Sequence, residues 1–266
     1  MYLMRYATFY YHTDMSNNRK RLEPITIPVK LRKSTGKALI DFRMIKEGDR
    51  VLLGLSGGKD SLSLLHILLH FQRHAPVRFE VAAMTVDPQS GEFDPTPMIP
   101  YLKSLGVAYF YVKEPILEMA ERHMIGDSYC SFCARIKRGV MYSTARKQGF
   151  NVLALAQHLD DLAESFLMSA FHGGTLKTMK AHYVNDKGDL RIIRPLVYTR
   201  EKMLADFAKT QGLPVIAENC PACFSKPTQR ENMKLLLAKE EKQVSNLFGN
   251  LLSTMKPLMK EGLPDS

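Results

Sequence analysis

Val51-Leu-Leu-Gly-Leu-Ser56-Gly-Gly-Lys-Asp-Ser61 is the stretch on which the fold turns. Its first five residues are a short, unbroken apolar run, the pattern of a strand buried on both faces of a parallel sheet. Gly57 and Gly58 follow at once, and a helical pattern runs from about Lys59 to Arg73. A glycine pair between strand and helix lets the backbone approach an anion closely, while the free amides and dipole at the helix start favour phosphate. Ser56 and Ser61 can add hydroxyl donors, Lys59 a cation, and Asp60 a ligand for the Mg²⁺ that accompanies phosphates. Lysine follows the glycine pair directly, so this is not a Walker loop, which has four residues between its glycine and Gly-Lys-Ser/Thr. The plainer reading is a glycine turn with a helix cap, in which Asp60 only complements the dipole.

Outward from this loop the alternation of strand and helix repeats. Phe79 to Val86, Val107 to Val112 and Val152 to Ala156 read as strands. Pro97 to Leu105, Pro115 to His123, Ala134 to Gln148 and Asp160 to Phe171 read as helices. Such alternation implies βαβ units and an α/β fold, an open parallel sheet with helices on both faces. Ligands then sit at the carboxyl ends of the strands. Asp87 ends the second strand, where a ribose or adenine would be contacted, and it fits a plain turn before Pro88 equally well. The fourth strand ends in Ala156-Gln-His-Leu-Asp160-Asp161, whose carboxylates and histidine can bind Mg²⁺ or move protons. Asp160 fits the N-cap of the next helix too, and one aspartate of the pair is expected to be structural, the other chemical.

On either side lie helical extensions. Val29 to Ile45 carries Leu31, Ala38, Leu39, Phe42 and Ile45 at helical spacing among basic residues. After Gly173-Gly174 the alternation weakens to a short strand near Arg191 to Pro195 and a helix from Arg200 to Gln211. Thr228 to Lys256 is polar and helical, with Met233, Leu236, Leu237, Val244, Leu247 and Leu251 on a face. The expected division is an N-terminal helical extension over 1–48, a sheet domain over 49–218, and a cysteine-pair segment with a helical tail over 219–266.

With 266 residues, 45% hydrophobic and 24% charged, the chain is too apolar for disorder, and no apolar run is long enough to span a bilayer. No membrane association is expected. Lysine and arginine number 37 against 27 acids, a net charge of +10, which favours polyanionic partners, nucleic acid first. The first 15 residues lack the apolar core and cleavage site of a secretory signal, and Met15 offers a second start before a polar run. A reducing cytoplasm is therefore the expected compartment. There the grouping of four cysteines as Cys130-Ser-Phe-Cys133 and Cys220-Pro-Ala-Cys223 points to a metal or redox centre rather than disulfides. Structural zinc and an iron–sulfur cluster are both open on these residues alone. Arg135, Lys137 and Arg138 set three cations just beyond Cys133.

Taken in order, these motifs resemble the tRNA 2-thiocytidine synthetases, within the TtcA/TtuA group of PP-loop ATP pyrophosphatases. The likeness runs from about Lys30 to Arg230. It rests on Asp41 to Arg50, Ser56 to Ser61, Cys130-Ser-Phe-Cys133 with Arg138-Gly139, and His158-Leu-Asp-Asp161. Phe171-His-Gly-Gly174, Ile193-Arg-Pro-Leu196 and Cys220-Pro-Ala-Cys223 complete it. The resemblance implies an adenine nucleotide alpha hydrolase-like fold that binds ATP at Ser56, Gly57, Gly58, Lys59, Asp60, Ser61 and Asp87, with Asp60 on Mg²⁺. It also implies ATP-dependent adenylation of C2 of an anticodon-loop cytidine in tRNA and replacement of its oxygen by sulfur. A 4Fe-4S cluster would sit on Cys130, Cys133 and Cys223, with Cys220 matching a family cysteine of less settled role. Lys137 and Asp161 correspond to catalytic positions of the related thiouridine enzymes. The implied partners are tRNA and a sulfur donor, either a cysteine desulfurase system or inorganic sulfide, and a homodimer is an open state.

Two departures from the family pattern lie near the substrate. Gln157 and Leu159 replace a histidine and an arginine of the usual Gly-His-His-Arg-Asp-Asp, and Phe224 replaces a glycine. The alternatives are a PP-loop enzyme that thiolates or desulfurates another base, and a zinc-stabilised, non-catalytic ATP- and RNA-binding protein.

Overall fold

The computed structural model describes residues 25–90, 93–123, 129–216 and 228–260, with backbone only at 123, 129 and 130. The chain runs α1 (Val29–Asp41), β1 (Asp49–Gly54), α2 (Lys59–His74), β2 (Phe79–Asp87), α3 (Met98–Leu105), β3 (Ala108–Lys113), α4 (Ile116–His123), α5 (Tyr129–Lys147) and β4 (Val152–Ala154). It continues α6 (Leu159–Gly173), β5 (His182–Val184), β6 (Arg191–Ile193), α7 (Glu201–Thr210), α8 (Gln229–Glu241) and α9 (Leu247–Met259).

The strands form one sheet in the order β3-β2-β1-β4-β6-β5. Five of them are parallel, as the apolar runs imply, and β5 is added antiparallel to β6 at the edge. That hairpin was not legible, because β5 is only three residues long, His-Tyr-Val, and carries no apolar alternation. Its turn is held by Asn185, whose side-chain oxygen accepts from the amides of Asp189 and Leu190.

Each central strand is buried on both faces, which is why Val51, Leu52 and Leu53 are all apolar and fully covered. Leu53, Ala83, Ala154 and Ile193 face a core shared with α1, α2, α3, α6, α7 and α9. Leu52, Ala82, Met84, Leu153 and Ile192 face a second core filled by α4 and α5. At about 1.5–3 kcal/mol per buried large aliphatic side chain, these two layers dominate the drive to fold.

The chain leaves β1 for β2 on one side and returns to place β4 on the other. The β1–β4 boundary is therefore the switch point of the sheet, where two loops diverge and a crevice opens at the carboxyl ends. Helix α5 begins at Tyr129, five residues earlier than the sequence pattern indicates, so the first cysteine pair stands on helical backbone rather than on a turn. Among the described residues no helix is long and apolar enough to cross a membrane.

Candidate functional site

The loop after β1 sits at the switch point. Leu55 still pairs with the sheet through its amide to Met84 O (2.7 Å), and the chain then turns at Gly57 with φ 88°. The loop is braced from within: Ser56 Oγ accepts from the Gly58 amide (3.2 Å) and lies 3.2 Å from Ser61 Oγ, and Ser61 Oγ donates to Gly58 O (3.0 Å). From outside, the Ile216 amide donates to Gly57 O (2.9 Å). Helix α2 starts at Lys59 with no side-chain cap on Gly58, so its first amides remain available to an anion.

Lys59 and Asp60 face the loop after β4. The Lys59 ammonium lies 3.0 Å from Asp60 Oδ2 and 2.9 Å from Glu201 Oε1. Burial alone would lower its pKa, but these carboxylates outweigh burial and raise it. Asp60 is pushed the other way: burial raises its pKa more than His158 and Lys59 lower it. Its second oxygen, Oδ1, is buried with no hydrogen-bond partner among the described residues. An unfilled carboxylate oxygen beside a phosphate-type loop fits a Mg²⁺ arriving with the phosphates.

Helix α6 opens with a capping box centred on His158, not on Asp160. His158 Nδ1 accepts from the Asp161 amide (3.4 Å), and Asp161 Oδ2 accepts from the His158 amide (3.0 Å). With Nδ1 accepting, a neutral ring carries its proton on Nε2, which lies 3.8 Å from Asp60 Oδ2. Asp160 is buried and tied to α7: it accepts from Arg200 Nε (3.1 Å) and from the Glu201 amide (2.7 Å). Asp161 keeps Oδ1 turned toward Arg230 of α8 at 3.3 Å. Glu164, one turn on and buried, lies 3.7 Å from Arg230. Burial, helped by the Asp161 charge, pushes Glu164 up to about 7 against the pull of Arg230 and Lys234. Asp60, His158, Asp161, Glu164, Glu201 and Lys234 are among the side chains lining an open cavity of about 310 Å³.

The direction of α5 determines where the first cysteine pair lies. At its C-terminal end Gln148 O accepts from Arg50 at the amino end of β1 (2.9 Å). Further up, Met141 Sδ would lie 3.0 Å from a Cβ built on Gly54 at the carboxyl end. The helix thus runs antiparallel to β1, and half-buried Lys137 and Cys133 lie about 6 and 12 Å beyond Met141 along it, on the carboxyl side of the sheet. Position 130 is nearly one turn further, and its side chain, with Cys220 and Cys223, lies outside the described residues. Among the described residues no three His, Cys, Asp or Glu side chains are grouped to hold a metal ion.

Asp87 is buried and held both by β3 and by its own turn. It accepts from the Tyr111 hydroxyl and, through Oδ1, from the Gln89 amide (2.8 Å). On the other flank of the crevice, half-buried Arg194 donates to Gln157 Oε1 (2.9 Å) and to Lys180 O (2.6 Å). Burial lowers its pKa, more than Tyr183 restores it, and the nearby Arg138 charge lowers it further. Sequence reasoning missed Glu164, Glu201, Arg230 and Lys234 as site residues. The one available signal was Arg200-Glu201 opening a helix, where an acid in the first turn reads as dipole complement.

The sequence matches the PP-loop domain family over residues 29–223. A tRNA-cytidine(32) 2-sulfurtransferase from Geobacter sulfurreducens is 42% identical over 227 residues, covering 85% of this chain and 88% of that protein. One from Pseudoalteromonas atlantica is 37% identical over 257 residues, covering 96% of this chain and 80% of the relative. The chain belongs to the tRNA-cytidine(32) 2-sulfurtransferase family. The span matched to the PP-loop domain contains the Ser56–Ser61 loop, Lys137, Asp161 and the four cysteines of this sulfurtransferase. Among solved structures, the U34-tRNA thiolase NcsA from Methanococcus maripaludis, described with its 4Fe-4S cluster, aligns with a TM-score of 0.71 at 20% identity. The alignment covers 89% of this chain and 80% of that one, a likeness of fold.

Proposed function

We propose that this sulfurtransferase uses ATP to replace the C2 oxygen of an anticodon-loop cytidine, position 32, in tRNA with sulfur. The observation that carries the reading is the meeting, at one sheet edge, of a glycine loop suited to phosphates and the helix bearing Cys133 and Lys137. In the first step the C2 oxygen attacks the α-phosphorus of ATP and pyrophosphate leaves. In the second, sulfur at the sulfide level adds to C2, and the C–O bond breaks with oxygen departing in AMP.

The amides of the Ser56–Ser61 loop and Lys59 bind the phosphates, Asp60 would hold the Mg²⁺ that accompanies them, and Asp87 frames the nucleoside end. Lys137 stabilises the negative charge that develops as sulfur adds to C2 and AMP departs. Asp161, held by the His158 amide and Arg230, is the carboxylate available to move a proton. Cys130, Cys133 and Cys223 would hold a 4Fe-4S cluster, which when bound supplies sulfur to the activated carbon.

Two measurements test the reading. Nucleoside mass spectrometry of tRNA from a deletion strain is expected to lose 2-thiocytidine and regain it on complementation. Loss of a different modified base with 2-thiocytidine intact would overturn the substrate. Protein purified without oxygen is expected to contain iron and acid-labile sulfide in nearly equal amounts; stoichiometric zinc with no iron would favour the non-catalytic alternative.

A further inference from the structure

Lys59 does not rest on Asp60 alone. Its ammonium is shared between Asp60 Oδ2 at 3.0 Å and Glu201 Oε1 at 2.9 Å, and the other Glu201 oxygen is held by Lys234 at 2.7 Å. The four groups form a chain of alternating charge, Asp60, Lys59, Glu201, Lys234, joining α2, α7 and α8. Glu201 is the first residue of α7, and its own amide is fixed by Asp160. The carboxylate therefore projects from an anchored point. Burial alone would raise the Glu201 pKa, yet Lys234 and Lys59 together push it down to about 2, so it is charged across the working range.

We propose that Glu201 is a positioning residue for the nucleotide: it shares the Lys59 ammonium with Asp60 and so fixes it at the start of α2, beside the phosphate loop, while Lys234 of α8 neutralises the charge that would otherwise repel the phosphates. This rests on ATP being the ligand of the loop. Without Glu201, Lys59 keeps only its chain neighbour Asp60 of the two carboxylates and loses its fixed orientation. The ammonium is then free to follow any phosphate oxygen, so the nucleotide is held but no longer aligned. With Glu201 in place, the ammonium exchanges one carboxylate contact for a phosphate oxygen, and Glu201 stays compensated by Lys234.

Two substitutions should act with opposite sign. Glu201→Gln removes a negative charge from the cavity and frees the lysine, so a non-hydrolysable ATP analogue should bind about three- to tenfold more tightly, while AMP formation at saturating ATP falls about tenfold or more. Lys234→Met leaves Glu201 with only the Lys59 ammonium that the phosphates also draw on, so the same analogue should bind about three- to tenfold more weakly. The double variant should bind close to wild type and stay slow. Binding is read by calorimetric titration in the presence of Mg²⁺, and melting midpoints are recorded alongside. Shifts of the same sign in the two single variants, or an unchanged Kd in either, would overturn the proposal, since a merely structural role moves both together with the melting midpoint. If Glu201→Gln melts below the assay temperature, Lys234→Met decides alone: weaker binding supports the proposal and unchanged binding overturns it. No binding by the wild-type protein would remove the ATP reading itself, and this inference with it.

Discussion

At the scale of single residues, the nucleotide loop depends on one backbone conformation. Gly57 has φ 88°, and a Cβ there would meet Ile216 at 3.0–3.3 Å, so Gly57→Ala meets both torsional strain and a clash against the segment that closes the loop. It should destabilise the fold by about 1–3 kcal/mol in urea unfolding and weaken ATP binding. Gly188 in the β5–β6 turn has a similar φ of 74° but open space around it. Gly188→Ala should cost only about 1 kcal/mol and leave binding unchanged. Glu164 gives a prediction with a pH sign. Its folded-state pKa of about 7 lies above the ordinary carboxylate value, so the folded protein retains a proton that the unfolded chain has released. Stability from this group is full below the ordinary carboxylate range and is lost as pH rises through about 7. Glu164→Gln should therefore stabilise the protein by about 1–3 kcal/mol at pH 8 and have little effect near pH 4, read as unfolding free energy against pH.

At the scale of elements, the strands and helices around β1 were legible because strands covered on both faces leave continuous apolar runs. The loop was legible because glycines, lysine and aspartate fall between a strand and a helix. Helix α5 was legible from Ala134 onward: Tyr-Cys-Ser-Phe-Cys before it carries no helical apolar period, and it is Phe132, buried against the second core, that draws the first turn in. The partners Glu201 and Lys234 were not legible at all. Each reads as an ordinary charge on a helix, and their meeting with Lys59 comes from the packing of α7 on α2 and the ion pair from α8. Helix α9 reads as part of a polar tail, yet Met255 and Met259 are fully buried in the same core as β1 and α2. Met255→Ala should cost about 2–5 kcal/mol in unfolding free energy, as expected of a core position and not of a surface tail.

At the scale of the whole molecule, the excess of basic residues bears on how a polyanion is held. If tRNA is the substrate, its affinity should fall steeply with salt, about a hundredfold or more between 50 and 200 mM for five or so phosphate contacts, measured by filter binding. ATP affinity, governed by groups inside the crevice, should change far less over that range. Among the parts of the molecule remote from the crevice, the short strand β5 has a further bearing. Its outer side is met by the chain leaving α9, through a parallel bridge between His182 and Lys260, the Ala181 amide on Met259 O (3.0 Å), and Lys180 on Lys260 O (2.8 Å). Unsheathed backbone at a sheet margin is a template for pairing with another molecule. The last helix thus does more than fill the core, because Met259 and Lys260 at its end occupy a margin along which separate copies would otherwise stack and come out of solution.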